Sequence, residues 1–130
     1  MKLGDHVQSG DWKGEKHVPV IEAPEHAAAG EAVLIKFGIG KEIPHPNTAA
    51  HYIKWIKLFF VPDGGKFAIE LADVAFDAHG DSTDPQKPGP AFTEPFTSVE
   101  AKFASSGVLV ALSYCNIHGL WENSKPIKIG

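Results

Sequence analysis

Cys115 and His118 lie three residues apart in Ser113-Tyr114-Cys115-Asn116-Ile117-His118-Gly119, and Cys115 is the only cysteine of the chain. A thiolate is a soft metal ligand and an imidazole a borderline one, and a three-residue step lets both turn toward one ion from a tight loop. Alone, a single buried cysteine is more often a small core hydrophobe. Three further histidines change that balance. His17, His45 and His51 sit, like His118, where a loop meets a strand, so five candidate ligands come from three separated stretches. Structural zinc is usually closed by four ligands with several thiolates, and five is one too many. Blue copper takes two histidines, one cysteine and a weak axial ligand that is often methionine, and the only methionine here is Met1. Four imidazoles and a thiolate leave an iron ion five-coordinate with a sixth position open, which suits chemistry rather than scaffolding. A thiolate opposite that position pushes electron density toward whatever binds there. Three readings compete with a reactive iron centre: a cupredoxin-like electron carrier, a purely structural metal module, and a nucleophilic Cys115 with His118 as its base. The last leaves three histidines without a role. His6, His26 and His79 are expected outside the ligand set, as surface or supporting groups.

Such a site must be held by elements drawn from a short chain. At 130 residues the expectation is one domain, residues 1–130, able to bury roughly two-thirds of the surface its unfolded form exposes. Hydrophobic residues make up 43% and charged residues 22%, which excludes wholesale disorder. No apolar run approaches the ~20 residues needed to span a bilayer. The formal net charge of −4 argues against a nucleic-acid partner, because phosphate binding calls for a basic face. Lys13, Lys16 and Lys41 nevertheless fall in or beside histidine-bearing stretches, where they would make a locally positive mouth. Residues 1–10 lack the apolar core of a signal peptide. One cysteine forms no intramolecular disulfide, so the expected compartment is the reducing cytoplasm.

The punctuation of the chain predicts an all-β architecture. Residues 1–16 read as a polar lead-in with one short helical turn, 17–22 as a short strand whose Pro19 suits an edge, and 31–39 as a strand with β-branched and aromatic content. In 41–47 two prolines flank His45 and stiffen the loop that presents it. Asn47 is placed to cap a single helical turn through residues 48–50 to His51. Residues 52–61 read as a long half-buried strand, ended by Pro62-Asp63-Gly64-Gly65 and followed by a hairpin partner over 66–77. A Pro-rich loop over 80–91, a strand within 92–104, and the apolar run 108–112 follow, the last a central strand leading into Cys115. A final short strand uses Ile127 and Ile129. Short strands separated by Gly/Pro turns make a sandwich or barrel.

E-K-H-V-P at 15–19, K-E-I-P-H-P-N at 41–47, His51 with aromatic residues after it, and S-Y-C-N-I-H-G-L-W-E at 113–122 together resemble superoxide reductase of the one-iron, neelaredoxin type, also found as the C-terminal domain of desulfoferrodoxin. The resemblance runs from about residue 10 to residue 123. It implies an immunoglobulin-like β-sandwich or barrel of about seven antiparallel strands, and one square-pyramidal iron with His17, His45, His51 and His118 as equatorial ligands and Cys115 as axial ligand. It further implies Glu15 as a sixth ligand in the oxidised state, Lys16 as the cation beside the open site, superoxide as substrate, and rubredoxin or a similar small carrier as electron donor. It also implies a homotetramer, for which exposed strand residues such as Phe59 or Phe60 are candidate contacts. Many relatives carry a second histidine after the third ligand, where this chain has Tyr52. Strand alternation is expected to turn Tyr52 away from His51, leaving the metal set unchanged. The cysteine-rich rubredoxin-like domain of desulfoferrodoxin has no counterpart here.

Overall fold

Inward and outward side chains alternate along a nine-residue strand, Gly107–Cys115, in which Leu109, Ala111, Ser113 and Cys115 have no exposed surface. That period of two is what a strand buried on one face produces. The computed structural model describes residues 1–130. Eight strands follow a short 3-10 turn at Leu3–His6: β1 (Val20–Glu22), β2 (His26–Ala27), β3 (Val33–Gly38), β4 (Ile53–Pro62), β5 (Ile69–Ala75), β6 (Phe96–Ala101), β7 (Gly107–Cys115) and β8 (Gly119–Ile129). They form a three-stranded sheet, β1-β3-β6, and a five-stranded sheet, β2-β8-β7-β4-β5. All neighbours run antiparallel except β2 and β8. No helix is long and apolar enough to cross a membrane.

The two inner faces share one apolar core, in which Ile35 and Phe37 of β3 meet Ile56 and Leu58 of β4, Leu109 of β7 and Ile127 of β8. On β4 a register shift between Ile53 and Trp55 lets Ile53 and Ile56 both turn inward, so the strand's alternation changes phase without leaving the core. Phe60 also faces inward, 6% exposed and 4.7 Å from the Phe103 ring, which removes it as a surface contact. β8 is much longer than the expected short strand and pairs with β7 from Gly119 to Ile127. Pro126 is tolerated because β2 reaches β8 only at Lys128 and Ile129, leaving that edge of residue 126 without a ladder. Cys115 thus ends a strand that is paired on both sides, at one end of the barrel.

Candidate metal centre

The β7–β8 hairpin turns through residues 116–118 and closes at Gly119, whose φ of 79° favours glycine. The tight return brings the His118 backbone N–H to 3.4 Å from the Cys115 sulfur, which accepts it. His45 is delivered differently. Gly40 has φ 90° and a Cβ there would come within 2.9 Å of the His45 backbone nitrogen, so glycine is needed for the loop to fold back on itself. The His45 Nδ1–H donates to the Pro46 carbonyl at 2.6 Å, which fixes the tautomer and leaves Nε2 with a free lone pair.

His51 closes a tight turn rather than a helical one. Thr48 and His51 exchange two backbone hydrogen bonds at 3.0 and 3.2 Å, and the Thr48 hydroxyl accepts from the His51 N–H at 3.0 Å. Asn47 is not the cap: its Nδ2 donates to the Thr93 carbonyl and its Oδ1 faces His79 at 2.8 Å. Asn116 grips the other side, accepting from the Tyr52 N–H at 2.8 Å and donating to the Ala50 carbonyl at 2.9 Å. It thereby ties both neighbours of His51 to the residue that follows Cys115. Tyr52 stacks on His79, with centroids 3.8 Å apart; it precedes β4, so this contact rather than strand alternation sets its direction. His17 belongs to the lead-in loop, where Glu15 accepts from its backbone N–H at 2.8 Å and its Nδ1–H at 2.6 Å.

These elements converge. The four imidazole rings occupy the corners of a near-square: neighbouring centroids are 4.9 Å apart for His17 and His45, 4.7 Å for His45 and His51, 5.0 Å for His51 and His118, and 4.7 Å for His118 and His17, while the His17–His51 diagonal is 6.5 Å. The Cys115 sulfur, fully buried, lies 3.5 Å from His45 Nε2 and 3.8 Å from His118 Nδ1. Ligand atoms of His17, His45, His51 and Cys115 all fall within 4.8 Å of one another. His118 stands slightly outside that tightest group but keeps Nδ1 3.1 Å from His17 Nε2. The sulfur is thus the most deeply buried of the five donors, and His118 is the one exposed corner of the square.

Two observations test whether a metal suits this square. His51 Nε2 is shielded from solvent and has no hydrogen-bond partner, a costly arrangement unless a lone-pair acceptor such as a metal ion completes it. Burial pulls the His45 pKa down to about 4, against a smaller opposing effect of the Pro46 carbonyl and with help from His17, His51 and Lys16. His51 is lowered too, first by burial and then by His118, His17 and Lys16. Neutral imidazoles are the ligating form. For Glu15 burial acts upward, but hydrogen bonds from the His17 side chain and backbone, with the charges of His17 and Lys16, prevail and lower its pKa. The charge of Lys16 is the smallest contributor to each of these three shifts. The other two lysines of the expected positive mouth are otherwise engaged: Lys41 pairs with Glu22, and the ammonium groups of Lys13 and Lys41 lie 5.6 and 5.8 Å from the Trp12 ring. His6 and His26 stay exposed, while His79 is buried behind the 45–51 loop and supports it. Sequence reasoning missed Asn116 and Trp121, whose partners are distant in the chain.

The desulfoferrodoxin family profile matches residues 9–124. The superoxide reductase of Pyrococcus furiosus is 50% identical over 126 residues, covering 97% of this chain and 99% of the relative. Neelaredoxin of Megalodesulfovibrio gigas is 45% identical over 129 residues, covering 99% of each. The crystal structure of a relative from Thermotoga maritima superposes with a TM-score of 0.94 at 52% identity, covering 100% of this chain and 98% of the other.

Proposed function

Because the chain belongs to the desulfoferrodoxin family, we propose that it is a superoxide reductase, which consumes one superoxide, one electron and two protons to yield one hydrogen peroxide at a single bound iron. The observation that carries this reading is the square of four imidazoles with a buried thiol behind it. His17, His45, His51 and His118 would hold the iron on its four sides and Cys115 from the barrel interior. Iron bound there supplies one-electron redox chemistry and Lewis acidity, tuned by its thiolate ligand.

The remaining roles fall to the protein. Lys16 provides positive charge beside the site and attracts a small anion against the overall charge of −4. It also holds a proton that can be passed to the reduced oxygen, directly or through water. Glu15 would leave its bond with His17 to serve as sixth ligand in the oxidised state only. Re-reduction by rubredoxin or a similar small carrier, a homotetrameric assembly, a cytoplasmic setting and one domain over residues 1–130 complete the proposal. Family resemblance supports the first two, and the single cysteine favours the reducing compartment.

The test mixes pre-reduced, iron-loaded protein with a superoxide pulse and counts products. One hydrogen peroxide per superoxide with no oxygen released is expected. Half that yield with oxygen release is dismutation and overturns the reductase reading, as does copper without iron on elemental analysis.

A further inference from the structure

Trp121 touches two corners of the square without offering a metal ligand. Its indole lies nearly parallel to the His17 ring, at 4.7 Å between centroids and 15° between planes. Its Nε1–H donates to the His118 carbonyl at 3.1 Å. His17 and His118 are themselves neighbours, with Nε2 of one 3.1 Å from Nδ1 of the other. One side chain therefore contacts a whole edge of the site, by a face-to-face stack at one end and a hydrogen bond at the other.

The indole is mounted on firmer backbone than either histidine. Trp121 sits in β8 opposite Ser113 of β7, and its carbonyl accepts from the Ser113 hydroxyl at 3.3 Å. On the outer side of β8, the Gln8 N–H donates to the Leu120 carbonyl at 2.9 Å and the Glu122 N–H donates to the Gln8 carbonyl at 2.8 Å. His17, in contrast, occupies a loop, and its hydrogen bonds to Glu15 lie within that loop and move with it. Two residues beyond Trp121, Asn123 donates to the Pro19 carbonyl at 2.8 Å. Positions 121 and 123 of β8 thus grip the 17–19 segment at its two ends. His118 is exposed in a three-residue turn, where its carbonyl is the group the indole holds.

We propose that Trp121 is a positioning residue for the metal centre, setting the plane of the His17 ring and the place of the His118 turn so that both nitrogens face one ion. This rests on the iron-site reading above. Contacts that orient ligands typically carry about 10- to 100-fold in metal affinity. The stack governs ring tilt, because an aromatic face restrains rotation about the His17 side-chain bonds in a way an open face does not. The hydrogen bond governs the turn. The two contributions are separable: Trp121→Phe keeps an aromatic face for His17 and loses the donor to His118, whereas Trp121→Ala loses both.

The experiment titrates Fe2+ into metal-free wild-type, Trp121→Phe and Trp121→Ala proteins in competition with a chelator, and records the sulfur-to-iron absorption band of each oxidised, saturated protein. Affinity is expected to fall about 10- to 100-fold in Trp121→Ala and by a smaller factor in Trp121→Phe, with the band displaced in Trp121→Ala. Affinity and band unchanged in Trp121→Ala overturn the proposal. So does a loss that Trp121→Phe does not partly restore, or one accompanied by an undisplaced band, since either marks a merely structural role. If Trp121→Ala fails to fold, Trp121→Phe decides: wild-type affinity with an unshifted band refutes the hydrogen-bond arm, and weakened binding supports it. These readouts require no superoxide, so failure of the superoxide reading leaves the comparison intact.

Discussion

Acidification of the metal-free protein offers a quantitative check on how His45 is buried. The residue is 9% exposed, and its pKa is lowered from 6.5 to about 4, chiefly by burial. In the unfolded chain the same imidazole takes up a proton near its ordinary value. Above pH 6.5 both states are neutral at this position and it adds no pH dependence. As the pH falls from 6.5 toward 4, the unfolded state binds a proton that the folded state refuses, so stability is lost through that window. At about 1.4 kcal/mol per pKa unit, a displacement from 6.5 to about 4 amounts to roughly 3 kcal/mol by the bottom of the window. That is a large share of a small domain's total stability. His51, also lowered, acts in the same direction. The lowered carboxylate of Glu15 contributes only below its ordinary value of 4.5, which separates it from the histidines. Urea unfolding of the metal-free protein at several pH values between 7 and 4.5 measures the slope directly. His45→Asn, which cannot take up a proton, should flatten it by up to about one proton's worth. Equal slopes for variant and wild type, or a metal-free protein more stable at pH 5 than at pH 7, would refute the reasoning.

Cys115→Ser should abolish the sulfur-to-metal absorption band of the oxidised protein while leaving the sheet register intact, and a surviving band would remove Cys115 from the ligand set. Lys16→Ala should slow superoxide capture and flatten its ionic-strength dependence with iron still bound; an unchanged salt dependence in pulse radiolysis would take Lys16 out of the steering role. Asn116→Ala loses the bonds to Tyr52 and Ala50 at 2.8 and 2.9 Å, and should cost about 1–3 kcal/mol in urea unfolding. It should also speed metal release, and a release rate equal to wild type would show that His51 is held by its own turn alone.

Much of the frame is legible in the sequence because its signals are local. The alternation along 52–61 and the apolar run before Cys115 correspond to β4 and β7, and the Gly/Pro clusters mark the loops between them. β8 was hidden by Pro126 and by the polar run Glu122 to Lys125, since nothing local shows that β7 offers nine residues for pairing. β2 is harder still: a two-residue parallel pairing with β8 exists only after the barrel closes. The ligand histidines were legible as types in motifs, yet the square they form depends on closure that brings His17 to His118 across 101 positions. Asn47 shows the limit of local rules. Its composition suits a cap, but Thr93 and His79 compete for its amide from elsewhere in the fold, and Thr48 takes over at the turn. Trp121 and Asn116 act entirely through distant partners, so no pattern of neighbours could single them out.

The donors are divided between two kinds of support, and that division has mechanical consequences. The sulfur of Cys115 rides on β7, which is paired along its length to β4 and β8, so it is located by the same contacts that build the core. The imidazoles ride on loops, each located by a few bonds: Pro46 for His45, the Thr48 turn and Asn116 for His51, Glu15 and Trp121 for His17. Changes at the buried β7 positions that precede Cys115, such as Leu109 and Ala111, should therefore unfold the protein before they retune the metal, whereas changes in the loop supports should retune the metal in a protein that stays folded. The sulfur is fixed from the interior, and adjustment falls on the loop-borne imidazoles. The loop-borne imidazoles are thus the more adaptable half of the site, with the thiol held still beside them.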